Sequence, residues 1–157
     1  MKEARVVTCF LLRRTPGGDE ILLLRRSQEV GTYRGRWAGI SGYLEKEPLA
    51  QAYAEIQEEA GLGKKDVRLL RAGEPLVVVD AAGDRRWIVH PFLFEVGRPE
   101  KVQLDWEHVE SRWIRPQEIR QYETVPQLAE TLGRVYPSPG SGQAPSPGSG
   151  QAPPPQP

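Results

Sequence analysis

Glu55, Glu58 and Glu59 stand at i, i+3 and i+4, so on a helix their side chains share one face. Like charges at that spacing repel by about 0.2–0.5 kcal/mol per pair. If the helix ends at Gly61, Glu58 and Glu59 fall in its last turn. There the helix dipole disfavours each anion by about 0.3–1 kcal/mol. No Lys or Arg occurs from residue 48 to 61, and the nearest, Lys46, Lys64 and Lys65, lie outside the segment. A solvated acidic face is the ordinary explanation of such a pattern. The clustering, the dipole and the missing counter-charge favour another. Converging carboxylates suit a hard divalent cation, Mg²⁺ with Mn²⁺ as alternative, whose other ligands are waters and phosphate oxygens of a substrate.

The segment that carries them reads as an amphipathic helix. Leu49, Ala52, Tyr53, Ile56 and Ala60 follow the spacing of a buried face. Pro48 opens it where a missing N–H does no harm, and Gly61 stops it. Residues 4–24 read as a hairpin turning at 15–19, and residues 26–36 as a polar loop. Trp37–Leu44 contains two glycines and reads as a strand or turn whose backbone approaches something closely. Val67–Leu70, Leu76–Asp80 and Trp87–Val96 are strand candidates, the last two joined by a hairpin loop at 81–84. Val102–Leu104 and Trp113–Ile114 are shorter ones. Pro116–Gln121 starts like a short helix, and Val125–Val135 has a helical apolar spacing. Strands, a helix, strands and then helices predict an α+β fold, with helices packed on a mixed β-sheet, not a βαβ repeat.

The remaining features bound the class. From Pro137 the octapeptide PSPGSGQA occurs twice and is followed by PPPQP. This stretch has no charge and no large apolar residue, so residues 137–157 are expected to be a disordered tail and 1–136 the folded domain. Twenty-one basic and 21 acidic residues cancel, which leaves no electrostatic footprint for duplex nucleic acid. Cys9 is the only cysteine, so no intrachain disulfide can form. No apolar run approaches the length of a bilayer span, and MKEARVV lacks a signal-peptide pattern. The expectation is a cytoplasmic protein with a small-molecule partner, with no membrane contact, and with a homodimer left open.

At this point the residues resemble the Nudix box, G-x5-E-x7-R-E-U-x-E-E-x-G-U, with U aliphatic. Its second half is similar to Glu55-Ile56-Gln57-Glu58-Glu59-Ala60-Gly61-Leu62, and its first half to Gly42-Tyr43-Leu44-Glu45-Lys46-Glu47. Trp37-Ala38-Gly39-Ile40-Ser41-Gly42 looks like the family's W-x-x-P-G-G lead-in, and Trp113–Ile119 is similar to its last strand and short helix. The resemblance covers about residues 4–136 and implies a Nudix-type α/β/α sandwich. Two departures stand out. Gly42 to Glu55 spans 13 positions where the family has 15, and Ala54 replaces the box Arg that orients glutamates by bidentate hydrogen bonds. Arg34, Arg36 and Lys46 are loop cations that could substitute for it.

The resemblance also implies a chemistry: Mg²⁺-dependent cleavage of the pyrophosphate in a nucleoside diphosphate linked to another group. Glu55, Glu58 and Glu59 would hold the metal, with the backbone carbonyl of Ser41 or Gly42 completing the shell. Glu58, Glu59 and a downstream Glu107 are the expected catalytic groups, Glu107 as base or metal ligand and Glu110 as a surface residue. Arg36, Trp37, Gly42 and Glu47 are the expected substrate-side residues, with Glu47 preferred over Glu45 as the first box glutamate. A surface Arg36 and a core Trp37 are the plainer alternatives. His90, Trp87 and Trp106 read as structural, and His108 is left unassigned. Two other functions compete: a degenerate domain that senses a nucleotide without cleaving it, and an isomerase of diphosphate-bearing lipids that would use Cys9 as its thiol acid.

Overall fold

The computed structural model describes residues 1–136, so the expected tail, 137–157, lies outside the described residues. The apolar run near the N-terminus forms a long strand, β1 (Lys2–Thr15), which turns back into β2 (Gly18–Arg26). Two short strands follow, β3 (Trp37–Ala38) and β4 (Ile40–Tyr43), then the helix α1 (Pro48–Ala60). The strands β5 (Val67–Ala72), β6 (Leu76–Asp80), β7 (Arg85–Val96) and β8 (His108–Ile114) come next, and α2 (Leu128–Gly133) closes the described chain. Single 3₁₀ turns occupy Lys64–Asp66 and Pro99–Lys101, and a longer one Pro116–Gln121.

β1 lies at the centre. It pairs in parallel with β7 from Lys2↔Arg85 to Leu12↔Glu95, and every other strand pairing is antiparallel. The sheet is therefore mixed. Side chains alternate across it, as strand geometry requires. Val7, Cys9 and Leu11 of β1 join Ala52, Ile56 and Ala60 of α1 in one core. Phe10 and Leu12 point the other way, to Leu128 and Leu132 of α2 and to Ile119. Helices thus cover both faces, and the expected α+β, α/β/α sandwich is the observed fold.

Three elements differ from the sequence expectation. Val102–Leu104 is not a strand; Gln103 N–H instead donates to the Ala60 carbonyl (2.9 Å), satisfying a free end of α1. The helix expected over 125–135 is confined to α2, because Pro126 disfavours helical backbone before it and Gln127 takes a left-handed φ of 57°. Trp37–Leu44 splits into two strands at Gly39, where a Cβ would stand 2.9 Å from the Cys9 carbonyl oxygen. Among the described residues no helix is long and apolar enough to cross a membrane.

Candidate active site

α1 is held at both ends. Glu47 is its N-cap, with a carboxylate that accepts from Ala50 N–H at 3.0 Å. Gly61 closes it in the left-handed region, φ 71°, with its N–H donating to the Gln57 carbonyl at 3.0 Å. With the apolar stripe buried, the helix has one register, and Glu55 and Glu58 face a cavity of about 470 Å³. Ser41 and Gly42 of β4 lie beside them, and Glu107, just ahead of β8, lines the same cavity. Glu59 is packed behind, only 2% exposed.

Charge is poorly balanced here. Arg26 and Lys46 are the cations among the described lining residues, against Glu45, Glu55, Glu58 and Glu107. Arg26 is held by Thr32, with Nε donating to the carbonyl (2.9 Å) and Nη2 to the hydroxyl (3.3 Å). Burial, and then the neighbouring Glu55 carboxyl, push the Glu59 carboxyl up to about 11. Its Oε2 has no hydrogen-bond partner. The Glu55 charge, and then desolvation, raise Glu58. Desolvation, and then Asp105, raise Glu107, while Arg26 opposes them. His108 Nε2 lies 3.6 Å from Glu59 Oε1. Burial lowers this imidazole while it raises Glu59, so the contact joins two neutral groups and is not an ion pair.

Other expected site residues are placed elsewhere. Arg36 is exposed, donates to the Thr124 carbonyl (3.0 Å) and does not line the cavity. Trp37 packs edge-on against Tyr122 (5.7 Å between rings) and serves the second core, which is the plainer alternative for it. Glu47 is committed to capping α1, and Glu45 lines the cavity in its place. Gly42 does belong to the site, as close-packing backbone: a Cβ there would overlap the Glu55 carboxyl. Gly42→Ala is therefore expected to lower the melting temperature only modestly, because the overlap falls on the end of a side chain and not on backbone. It should lower any metal-dependent turnover by about tenfold or more, since a displaced ligand shell is costly. Steady-state kinetics beside thermal melts check this.

Sequence reasoning missed the apolar part of the lining. Tyr33, Val78, Trp87 and Val89 also line the cavity and pack together as one apolar cluster. Tyr33 has φ 50°, donates its hydroxyl to Asp80 (2.6 Å) and accepts from Trp87 Nε1 (3.0 Å). Nothing in the polar 26–36 loop marks Tyr33, because the β6–β7 hairpin that orients it lies some 50 residues on. Cys9 lies far from the acidic helix in sequence. β1 brings it near Glu55 and Glu59, whose charges, after burial, raise its thiol. It is nonetheless fully buried and absent from the cavity lining.

The carboxylates meet one test of a cation site and miss another. Their crowding, the orphaned Glu59 oxygen and the shortage of counter-charge fit a hard divalent cation by donor chemistry. Among the described residues, however, no group of three or more His, Cys, Asp or Glu is already arranged to hold a metal, so ligation would require side-chain rotation.

The raised Glu59 makes a stability prediction. Near pH 4 folded and unfolded chains are both protonated at this position. As pH rises toward the folded value, the unfolded chain ionises while the folded chain keeps the proton, so stability is lost. The metal-free melting temperature should fall between pH 7 and 9, above the range in which the lowered imidazole of His108 acts in the opposite sense, and millimolar Mg²⁺ should raise it most at the upper end. A metal-free profile that is flat and unmoved by Mg²⁺ would contradict this; differential scanning calorimetry reads both.

Residues 2–137 match the family model of the NUDIX domain, and the chain belongs to that family. Nudix hydrolases, a class that acts on pyrophosphate bonds, are among the solved structures of this fold. No curated protein sequence matches this chain. Solved structures share its fold. An Ap4A hydrolase of C. elegans, in a binary complex, matches with a TM-score of 0.70 at 20% identity, over 83% of this chain and 93% of that one. RenU, a Nudix hydrolase of M. smegmatis, gives 0.70 at 20% identity, over 86% and 85%. The NUDIX domain of Shewanella oneidensis NrtR, solved with ADP ribose, gives 0.60 at 14% identity, over 84% and 87%.

Proposed function

We propose that the chain is a Mg²⁺-dependent hydrolase that cleaves the pyrophosphate of a nucleoside diphosphate linked to a second group. The observation that carries this reading is one cavity whose lining combines two chemically distinct sets of side chains. Glu55, Glu58 and Glu107 are one set, and the aromatic and aliphatic cluster of Tyr33, Trp87, Val78 and Val89 is the other. A nucleotide has the same division: a polyanion that needs cations, and a flat base that gains from aromatic contact.

Glu55, Glu58 and Glu59 would hold Mg²⁺, or Mn²⁺, with the Ser41 carbonyl beside them. When bound, the ion neutralises phosphate oxygens and acidifies a water. The chain's own residues do the rest. Arg26 and Lys46, in place of Arg36, are the cations positioned to receive phosphate oxygens. Tyr33 and Trp87, tied to each other and to Asp80, form a rigid wall for the base. Glu107, with its basicity raised by burial, accepts the proton of the attacking water.

Ala54 favours a second reading, a domain that binds a nucleotide without cleaving it. Cys9 argues against an isomerase, since its thiol does not reach the cavity. A substrate panel with Mg²⁺ separates the readings. It should include ADP-ribose and a dinucleoside tetraphosphate, which figure among the fold's relatives, as well as sugar nucleotides and damaged nucleotides. Phosphate released after phosphatase coupling is the expected result. Tight nucleotide binding with no cleavage anywhere in the panel would replace the hydrolase with the sensor.

A further inference from the structure

We propose that Gln51 is the positioning residue of this site, fixing the Glu55 carboxylate with the same amide that closes the shortened loop ahead of α1. The inference rests on the metal-site reading above. Gln51 is 3% exposed and stands one turn before Glu55. Its Oε1 accepts two backbone hydrogen bonds, from Glu45 N–H (2.9 Å) and Lys46 N–H (3.1 Å). Its Nε2 donates to Glu55 Oε2 at 2.8 Å. Two N–H donors facing one end of the amide identify that end as oxygen, so the orientation follows from the network itself. Glu55 is then confined from two directions, by the Gln51 amide and by the Gly42 backbone, against which any Cβ would collide.

This arrangement addresses both departures of the segment with one side chain. The loop between Gly42 and α1 is short, and two of its N–H groups find their acceptor in Gln51 and not in a further turn. Ala54 carries no donor, and among the described residues the one cation-capable side chain within ion-pair distance of Glu55, Glu58 or Glu59 is His108, against Glu59. Gln51 orients Glu55 without neutralising it. A guanidinium in that place would offset part of the negative charge a divalent ion requires; a neutral amide leaves it intact. The bond also links a ligand to a loop whose Glu45 and Lys46 line the cavity, so the order of one depends on the other.

The test compares wild type, Gln51→Met and Gln51→Met/Ala54→Arg in the full chain. Three quantities are read: Mn²⁺ affinity by electron paramagnetic resonance, kcat and KM on a substrate the parent cleaves, and the folded fraction by circular dichroism. Met fills the buried space and makes neither set of hydrogen bonds. Gln51→Met should weaken Mn²⁺ binding by about ten- to a hundredfold and lower kcat at least tenfold, with KM changed far less. Ala54→Arg should restore part of both losses, because a guanidinium can supply the missing donor although it cannot mend the loop. Mn²⁺ affinity and kcat that stay within about twofold of wild type, or that fall only with the folded fraction, would overturn the proposal. If Gln51→Met does not fold, Gln51→Asn serves, since it keeps a neutral amide that is one methylene too short to hold both the loop and Glu55. The same losses there support the proposal, and wild-type behaviour overturns it. A parent chain that binds no Mn²⁺ overturns the metal reading, and this inference with it; a parent that binds while the variants are unaffected overturns this inference alone.

Discussion

Glu58→Gln and Glu59→Gln are each expected to lower turnover by on the order of a hundredfold or more, while the metal-free chain keeps or gains stability. Each change keeps the volume and removes a carboxyl that a divalent ion would need in its ionised form. At Glu58 the loss relieves repulsion from Glu55 and an unfavourable position in the last turn of α1. At Glu59 the metal-free carboxyl already holds its proton at neutral pH, so a neutral amide resembles the state it replaces. Residues that strain their own helix and yet carry the activity are expected at a functional site. Steady-state rates beside thermal melts without metal read the two effects separately. Wild-type turnover in both variants would contradict the assignment.

Glu107→Gln should cost about 10²- to 10⁴-fold in kcat, the range for a general base, with Mn²⁺ affinity changed only severalfold. Glu107, just ahead of β8, lines the cavity, and its carboxyl is raised by desolvation and by Asp105. Turnover of the wild type should therefore rise with pH from above the ordinary carboxylate range, as Glu107 loses its proton and becomes a base. That rising limb should be absent in the variant. A parallel loss of metal affinity in Glu107→Gln would make it a ligand and leave the base unassigned.

The sequence made much of this site legible, but unevenly. Local signals held where one element carries its own instructions. Pro48, the apolar stripe and Gly61 bound α1 from Pro48 to Ala60, as read, and the acidic face follows from that register. The spacing of β-branched and apolar residues located β1, β2, β5, β6 and β7 to within a few residues. The losses came where tertiary structure decides. Glu45 and Glu47 are indistinguishable by spacing; capping takes Glu47, and the turn before it brings Glu45 to the cavity. Arg36 and Trp37 precede the glycine-containing strand in sequence, but the β3 pairing turns them toward Thr124 and Tyr122. Tyr33 and Trp87 meet only through a hydrogen bond between residues 54 apart. Gln51 was hidden for a different reason. A glutamine on a helix next to an apolar stripe carries no signal of its own, and its role depends on a loop whose path no local pattern specifies.

The central claim is that the carboxylates of α1 form a divalent-cation site facing the cavity. The most direct measurement is anomalous diffraction from crystals of the full chain grown with Mn²⁺. A manganese peak is expected, bordered by the Glu55, Glu58 and Glu59 carboxylates and close to the Ser41 carbonyl, and lost in Glu58→Gln crystals. A peak placed elsewhere, or no peak in the cavity at millimolar Mn²⁺, would contradict it and leave those glutamates as an acidic face.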